Sequence, residues 1–344
     1  MCLHEIAMPA PPQDRALEGA PSRPEGDGSR RMLVMMGLVV VCGLAAGAGG
    51  WLLFRGKPKV TPPPMPITAP SRAVPVARPS PSAEIQAQTS QAATLVKQGQ
   101  YDAADKILAS FASPPESSTD AIFAYRGVGE WLALQGRWPE AASRYGSLLR
   151  LEKPDDWNTV SLDYHACAAA LAESGDRTRY DQMCQAAIAQ FGTTGNGDLA
   201  GRIIKVCLLL PANEATMAQL QPLMGVADKA FSPNAKFSDW AVIPLCLYRY
   251  RHVDYSQAIT WCQRVENRNK GSAIEATTLI IGAMSNYHLG KLAEASAKFE
   301  RGRQIIQARL QQDWKHGNSS DGIWYDWAFA QILLREASDS IGKN

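Results

Sequence analysis

The sequence predicts an all-α protein: a single transmembrane helix, a Pro-rich linker, and an α-solenoid of about six helix pairs closed by a C-terminal capping helix. Three observations lead to this prediction. Residues 32–54 are apolar and uncharged, residues 55–82 are rich in proline, and a short motif recurs at intervals of 37 to 39 residues within 83–344. A fixed period of this size is typical of repeat architectures. Residues 1–31 form a separate polar tail.

Composition is that of a chain able to form a large core. The 344 residues are 46% hydrophobic and 20% charged, with a formal net charge of +2. So small a net charge does not indicate the basic surface that binds nucleic acid, and we expect no nucleic-acid partner. The seven cysteines are scattered and form no CxxC pair. This distribution indicates small buried hydrophobes rather than a disulfide framework or a zinc site.

The membrane prediction rests on the first 82 residues. Residues 1–31, rich in Pro, Gly and charges, are expected to be disordered. Residues 32–54 are 23 residues without a charge, and about 20 apolar residues suffice to cross the hydrocarbon core. Basic residues flank both ends of this segment, so charge does not settle its orientation. The alternative is a signal peptide cleaved around "AAGAGG" (45–50).

Two further features concern a glycine pair inside this segment and the residues that follow it. Gly43 and Gly47 form a GxxxG pair, which allows two such helices to self-associate closely, although chance explains the spacing equally well in so glycine-rich a segment. Residues 55–82 contain nine prolines, five basic residues and no acid. Because proline fixes φ and lacks a donor, this segment is expected to be an extended spacer.

The repeated motif is the basis of the solenoid prediction. It appears as "GQYDAA" (99–104), "GRWPEA" (136–141), "VDYSQA" (253–258) and "GKLAEA" (290–295), each with a large residue at the third position and alanine at the sixth. Glycine lets a helix end in the left-handed conformation, and alanine suits a position where two helices approach closely. Each copy therefore predicts a helix–turn–helix pair. Gly175 supplies a further turn of this kind.

These units resemble the tetratricopeptide repeat. In the unit around "GRWPEA", the family's packing positions are held by Gly129, Trp138, Ala141 and Tyr145. The unit around "GKLAEA" keeps Ala283, Gly290, Ala295 and Phe299 in the same roles. The spacing is longer than the family's, which implies longer helices or connections.

A second resemblance concerns the order of the parts. The stretches "SGDRTRYDQMCQAAIAQFG" (174–192), "KVCLLLP" (205–211), "AMSNYHLGKLAEA" (283–295) and "WYDWAFAQILLREA" (324–337) are similar to the membrane-anchored C-terminal repeat region of planctomycete-type bacterial serine/threonine protein kinases. The resemblance implies a cytoplasmic N-terminus and repeats outside the membrane. The chain departs from the family because only 31 residues precede the apolar segment and no kinase motif is present.

The tetratricopeptide resemblance also implies which residues meet a partner. In that family the first helix of each pair lines a concave groove, and aromatic residues and arginine are the usual anchors. Carried over to this chain, the groove positions are Phe123, Arg126, Glu130, His165, Trp240, Ile243, Tyr250, Met284 and Tyr287. Residues 322–344 are expected to be an amphipathic helix that caps the last pair.

Catalytic chemistry is not indicated. The glycine-rich stretch 192–202 has Asp198 where a phosphate loop needs lysine, and His165 and Cys167 have no partner nearby in the sequence. We therefore expect no enzyme activity, catalytic residue, metal or cofactor. The leading hypothesis is a membrane-anchored scaffold that binds a protein or peptide as the sensor or docking part of a transmembrane kinase system. The alternatives are a structural assembly factor of an envelope complex and a secreted or cleaved enzyme.

Overall fold

The computed structural model describes the helical part of the chain. Within the described residues every regular element is a helix, so the all-α prediction is confirmed there. None of the helices described is long and apolar enough to cross a membrane. The predicted tail, the span at 32–54, its glycine pair and most of the linker lie outside the described residues, which are 81–151, 156–232, 238–266, 268–311 and 322–342.

Thirteen α-helices and a one-turn 3-10 helix at Asp239–Ala241 make up these ranges. The α-helices are α1 Pro81–Lys97, α2 Tyr101–Ser110, α3 Thr119–Leu134, α4 Trp138–Leu151, α5 Trp157–Glu173, α6 Arg177–Phe191, α7 Gly197–Leu208, α8 Glu214–Ala230, α9 Val242–Arg251, α10 Tyr255–Gln263, α11 Ala273–His288, α12 Leu292–Gln311 and α13 Trp324–Ile341.

The first twelve α-helices form six consecutive pairs. The two helices of each pair contact one another, and the first helices α1, α3, α5, α7, α9 and α11 contact each other in series. Buried residues from all six pairs and from α13 join in a single hydrophobic core. The described helices therefore constitute one array of stacked helix pairs.

Packing within the pairs follows the motif. The alanines that end the four motif copies, Ala104, Ala141, Ala258 and Ala295, are completely buried. Gly129 of α3 has the same purpose, since a Cβ at this position would lie 3.0 Å from the Tyr145 ring of α4. Small residues at these positions allow the paired helices to approach closely enough for their larger side chains to interlock.

The turns inside the pairs use a left-handed residue. Gly99, Gly136, Gly175 and Gly290 have φ between 71° and 73°, a region that glycine enters without steric cost. In the fifth pair the equivalent residue is Val253, at φ 65°. A β-branched residue at positive φ is strained, and Val253 gains little burial in return because 68% of it is exposed.

This strain gives the first testable prediction. Val253→Gly should raise the free energy of unfolding by about 0.5–1 kcal/mol, because relief of the left-handed strain exceeds the conformational entropy that glycine loses. Gly175→Val, the reverse change at an equivalent turn with no neighbour near the added Cβ, should lower it by a similar amount, about 0.5–1 kcal/mol. Urea unfolding measures both, and a destabilised Val253→Gly variant would contradict the strain argument.

The five cysteines among the described residues, Cys167, Cys184, Cys207, Cys246 and Cys262, are free and buried. Burial raises the pKa of the Cys167 thiol to about 12, so this thiol stays protonated and unreactive at neutral pH. The prediction that the cysteines are buried hydrophobes is confirmed for these five.

The terminal helix is more than the expected cap of the last pair. It packs on α11 and α12, as a cap would, but it also contacts α5 of the third pair. All seven residues from Trp324 to Ala330 are buried. Six of them are apolar or aromatic, and the seventh, Asp326, is ion-paired. A helix that is apolar on all sides requires protein around it rather than on one face.

Candidate binding groove

Helix α13 lies along the first helices of the later pairs. Tyr325, in its first turn, meets His165 in the middle of α5. Arg335, nearly three turns later, pairs with Glu173 at the end of α5, with 2.9 Å between Nη2 and Oε1. The two helices therefore run in the same direction. We call the surface of α5, α7, α9 and α11 that faces α13 the groove.

Aromatic residues fix the first turns of α13. The Trp324 ring lies 6.3 Å from the ring of Trp138 and 6.1 Å from that of Tyr145, both on α4. Trp327 is only 1% exposed, its Nε1–H donates to the Gly322 carbonyl at 3.2 Å, and the Arg309 guanidinium of α12 lies over its ring. The large side chain of the "GRWPEA" motif, Trp138, thus packs against the terminal helix.

Ion pairs fix α13 along its length. Lys205 Nζ of α7 donates to Asp326 Oδ1 at 2.8 Å, and their side chains are only 7% and 11% exposed. Near the other end Arg251 of α9 binds both carboxylate oxygens of Glu336, with 2.7 Å between Nη2 and Oε2. Arg251 also donates to the carbonyls of Leu208 and Leu209 at the end of α7. Charged groups of three pairs therefore hold the terminal helix in register.

His165 occupies the centre of this contact. Its ring lies 5.9 Å from the ring of Tyr325 and 5.7 Å from that of Phe329, and its Nδ1–H donates to the Ser161 carbonyl at 2.8 Å. Burial holds the pKa of His165 well below its usual value, and the nearby Lys205 charge lowers it further. The imidazole is therefore neutral at physiological pH.

The depressed pKa of His165 predicts how stability depends on pH. Below about pH 6.5 the His165 imidazole binds a proton in the unfolded chain but not in the folded chain. The unfolding free energy should therefore fall with decreasing pH, by up to about 1.4 kcal/mol per pH unit from this residue. Urea unfolding between pH 7 and pH 5 measures the slope. His165→Gln should reduce it, and an unchanged slope would contradict the burial of a neutral imidazole.

A cavity of about 370 Å³ adjoins the first turn of α13, between α5, α7, the 3-10 helix and α9. Its apolar walls include Trp240, Phe231 and Tyr325, and its polar wall includes His165, Lys205 and Arg202. Arg202 is fixed there by Nη1 bonds to Asn158 and Ser161 and by stacking over Trp157. The cavity is large enough for an aromatic side chain and offers ring contacts, and two of the charged residues in its wall, Lys205 and Asp326, pair with each other.

Four of the predicted partner residues are engaged inside the fold. Ile243 and Met284 are fully buried core residues, and His165 lies beneath α13. Tyr250 is half-buried, with its ring against Tyr255 and its hydroxyl 3.5 Å from Glu336 Oε1 of α13. His165 and Tyr250 meet α13, which occupies the groove in which a partner was expected, whereas Ile243 and Met284 belong to the hydrophobic core.

The other five predicted residues are at least partly accessible. Phe123 is 40% exposed, and it shares a face of α3 with Arg126, which binds Asp163 of α5 bidentately, and with Glu130. Partial desolvation raises the pKa of the Glu130 carboxyl, while the Arg126 charge opposes the shift. Trp240 forms a wall of the cavity. Tyr287 is half-buried beside His288 at the end of α11.

Sequence reasoning missed the residues that hold α13 in place, namely Lys205, Arg251, Asp326 and Glu336. The sequence of residues 324–333 could have indicated the position of α13, because its aromatic and aliphatic residues are not confined to one face of the helix. Such a pattern predicts a helix surrounded by protein. The identity of the opposing charges carried no local signal, since Lys205 and Asp326 are 121 residues apart.

The helix pairs and the occupied groove define an all-α protein built from repeated helix hairpins. No protein-family model matches the chain, and no curated protein sequence matches it. Among the described residues, no group of three or more His, Cys, Asp or Glu side chains is arranged to hold a metal ion.

Proposed function

We propose that this protein is a membrane-anchored, tetratricopeptide-like α-solenoid that serves as a scaffold and binds a protein or peptide partner. The observation that carries this proposal is the cavity of about 370 Å³ beside α13. Concave sites with mainly aromatic walls and a few fixed polar groups are the usual form of a binding site. Here such a site borders the first helices α5, α7 and α9, and the preceding first helix, α3, exposes Phe123 and Glu130.

Tyr325 lies within electrostatic range of both the cavity and α3, since the Glu130 carboxylate of α3 is one of the charges that act on it. This residue forms part of the cavity wall. Burial raises the pKa of its hydroxyl, and the charges of Asp326 and Asp163 raise it further. Asp163 is also the ion-pair partner of Arg126, so the two sites are electrostatic neighbours. A bound segment crossing α3 could therefore place one side chain in the cavity.

This arrangement favours a particular partner chemistry. The cavity suits an aromatic or aliphatic side chain, which Trp240 and Phe231 would contact by their rings. Phe123 offers a second apolar contact on α3, and the neighbouring Glu130 and Arg126 offer polar contacts at its edge. We expect an extended peptide with one large apolar anchor and polar flanks.

The membrane and kinase parts of the proposal rest on the sequence alone. Residues 32–54 would form a retained single-pass anchor, and residues 55–82 would hold the helix pairs up to roughly 80 Å from it at ~3.1 Å per residue. The resemblance to the kinase repeat regions supports a cytoplasmic N-terminus and repeats outside. By the same resemblance, the protein would act as a sensor or docking part for a serine/threonine kinase carried on another chain or domain.

Site-specific photo-crosslinking in native membranes tests the proposal. A photoreactive amino acid replaces Phe123 on α3 or Trp240 in the cavity wall. The matched control replaces Gln182, which is exposed on α6, the second helix of its pair. We expect positions 123 and 240 to yield an adduct with the same partner polypeptide and Gln182 to yield none.

Two results would count against the proposal. An equal adduct from Gln182 would show that contact is not confined to the face of α3 and the cavity. An adduct made only with a second copy of this chain would instead favour the structural assembly factor.

A further inference from the structure

One edge of the array exposes apolar side chains at the turns of the fifth and sixth pairs. Val253 is 68% exposed, Leu292 57% and Leu289 40%. Between them the Tyr255 ring stacks on the exposed imidazole of His288, with centroids 4.5 Å apart and planes 6° from parallel. We call these five residues the apolar edge. Contiguous exposed apolar groups mark a surface that contacts a partner or a membrane.

The equivalent turns of the first three pairs are polar. They read "QGQ" (98–100), "QGR" (135–137) and "SGD" (174–176), against "HVD" (252–254) and "LGK" (289–291) in the last two. The geometry of the turn is the same in all five. The fold therefore does not require apolar residues at this position.

The large motif residue behaves differently at the two ends of the array. In the first pair Tyr101 stacks on Trp131 at 5.8 Å, and in the second Trp138 packs against Trp324. In the sixth pair the same motif position is Leu292, most of whose side chain faces solvent. The internal contact that explains this residue in the early pairs does not explain it in the last.

Val253 is the most informative member of the apolar edge. Glycine fills its position in four other pairs, and valine takes the left-handed conformation there at a steric cost. The side chain recovers little of that cost by burial within the fold. A strained residue that projects an apolar group into solvent indicates a contact made outside the helical array.

The tether identifies what the apolar edge would meet, and this step rests on the proposed membrane anchor. The linker keeps the helix pairs within roughly 80 Å of the bilayer, so the effective concentration of lipid surface is high. The charges in these turns have both signs, with Lys291 against Asp254, and two nearby arginines are paired, Arg251 with Glu336 and Arg249 with Asp228. Aromatic and aliphatic groups without net charge suit the boundary between headgroups and acyl chains.

We infer that the apolar edge, formed by Val253, Tyr255, His288, Leu289 and Leu292, inserts into the interfacial layer of the bilayer to which the chain is tethered. Insertion fixes the array with its fifth and sixth turns toward the membrane. Because the contact is apolar, it takes zwitterionic lipid as well as anionic lipid and is insensitive to salt.

Fluorescence quenching by lipid tests this inference on the full chain in phosphatidylcholine liposomes. Cys2 and Cys42 are replaced by serine, and the five buried cysteines do not react. A polarity-sensitive dye is attached at Leu289→Cys or, as the matched control, at Gln135→Cys in the equivalent turn of the second pair. Nitroxide-bearing lipids supply the quencher. We expect at least threefold stronger quenching at position 289 than at 135, unchanged between low and high salt.

A second variant separates insertion from folding. Val253→Gly with Leu292→Ser should reduce the quenching at position 289 at least twofold. The helix content should remain, since both side chains are mostly exposed. Equal quenching at 135 and 289, or a dye at 289 shielded from water but not quenched by lipid, would overturn the inference. A full chain that fails to float with the liposomes would remove the proposed anchor and the inference with it, a pattern distinct from an anchored chain with an unquenched dye.

Discussion

Replacing Asp326 with alanine is expected to lower the free energy of unfolding by about 3–5 kcal/mol. The substitution leaves the Lys205 ammonium 7% exposed and without its acceptor, below the rings of Trp240 and Phe329. It also removes the carboxylate that accepts the Ile323 N–H at the start of α13. Urea unfolding followed by circular dichroism measures the loss.

Two control variants show whether burial is the cause. Asp181→Ala removes an exposed partner of Arg177, so its cost should stay below about 1 kcal/mol. The double variant Lys205→Met, Asp326→Leu removes both buried charges and should recover most of the lost stability. A cost for Asp326→Ala no larger than that of Asp181→Ala would mean that the pair is not buried.

Trp327→Ala should have an effect of similar size, about 3–5 kcal/mol. The indole is the largest fully buried side chain of the described residues, and it joins α13 to α12 through the Arg309 guanidinium. Removing it leaves a large void at the point where the terminal helix contacts the last pair. Thermal and urea unfolding measure the change.

Trp261 of α10 provides the matched control. It also lies under a guanidinium, that of Arg264 at 4.3 Å, but it is only half-buried. Trp261→Ala should therefore cost roughly half as much or less, because a smaller apolar area returns to water. Equal losses for the two tryptophans would contradict the central position of α13 in the core.

The helix pairs could be predicted because their causes are local. Glycine in a left-handed turn, a large residue two positions later and a buried alanine after it all lie within six residues, and the observed turns at Gly99, Gly136, Gly175 and Gly290 follow this motif. The fourth pair lacks the motif, but its turn contains Pro211 and Asn213, two residue types that favour turns. In the structure Asn213 caps α8 by accepting from the Thr216 N–H at 2.8 Å.

The position of α13 could not be predicted from such local features. Its contacts depend on the curvature of the whole array, which brings α4, α5, α7 and α9 to one helix. No periodic pattern specifies which distant lysine or arginine meets Asp326 or Glu336. The terminal helix was therefore expected to cover one face of the last pair.

The candidate partner residues illustrate the same limit. On α3 the motif fixes the register, and Phe123, Arg126 and Glu130 share a partly accessible face. In the fifth pair a one-turn 3-10 helix precedes α9, and Ile243 lies in the core. A register carried over from another family cannot anticipate such an insertion, because a shift of one or two residues moves a side chain from one helix face to another.

The occupation of the groove by α13 is tested most directly by an intramolecular crosslink. A photoreactive phenylalanine analogue replaces Tyr325, where the adjacent cavity leaves room for the larger ring, and the crosslinked peptides are identified by mass spectrometry. We expect an adduct within one chain that joins position 325 to α5, around Leu162 and His165. Adducts confined to α11 and α12, with none to α5, would mean that the helix only caps the last pair.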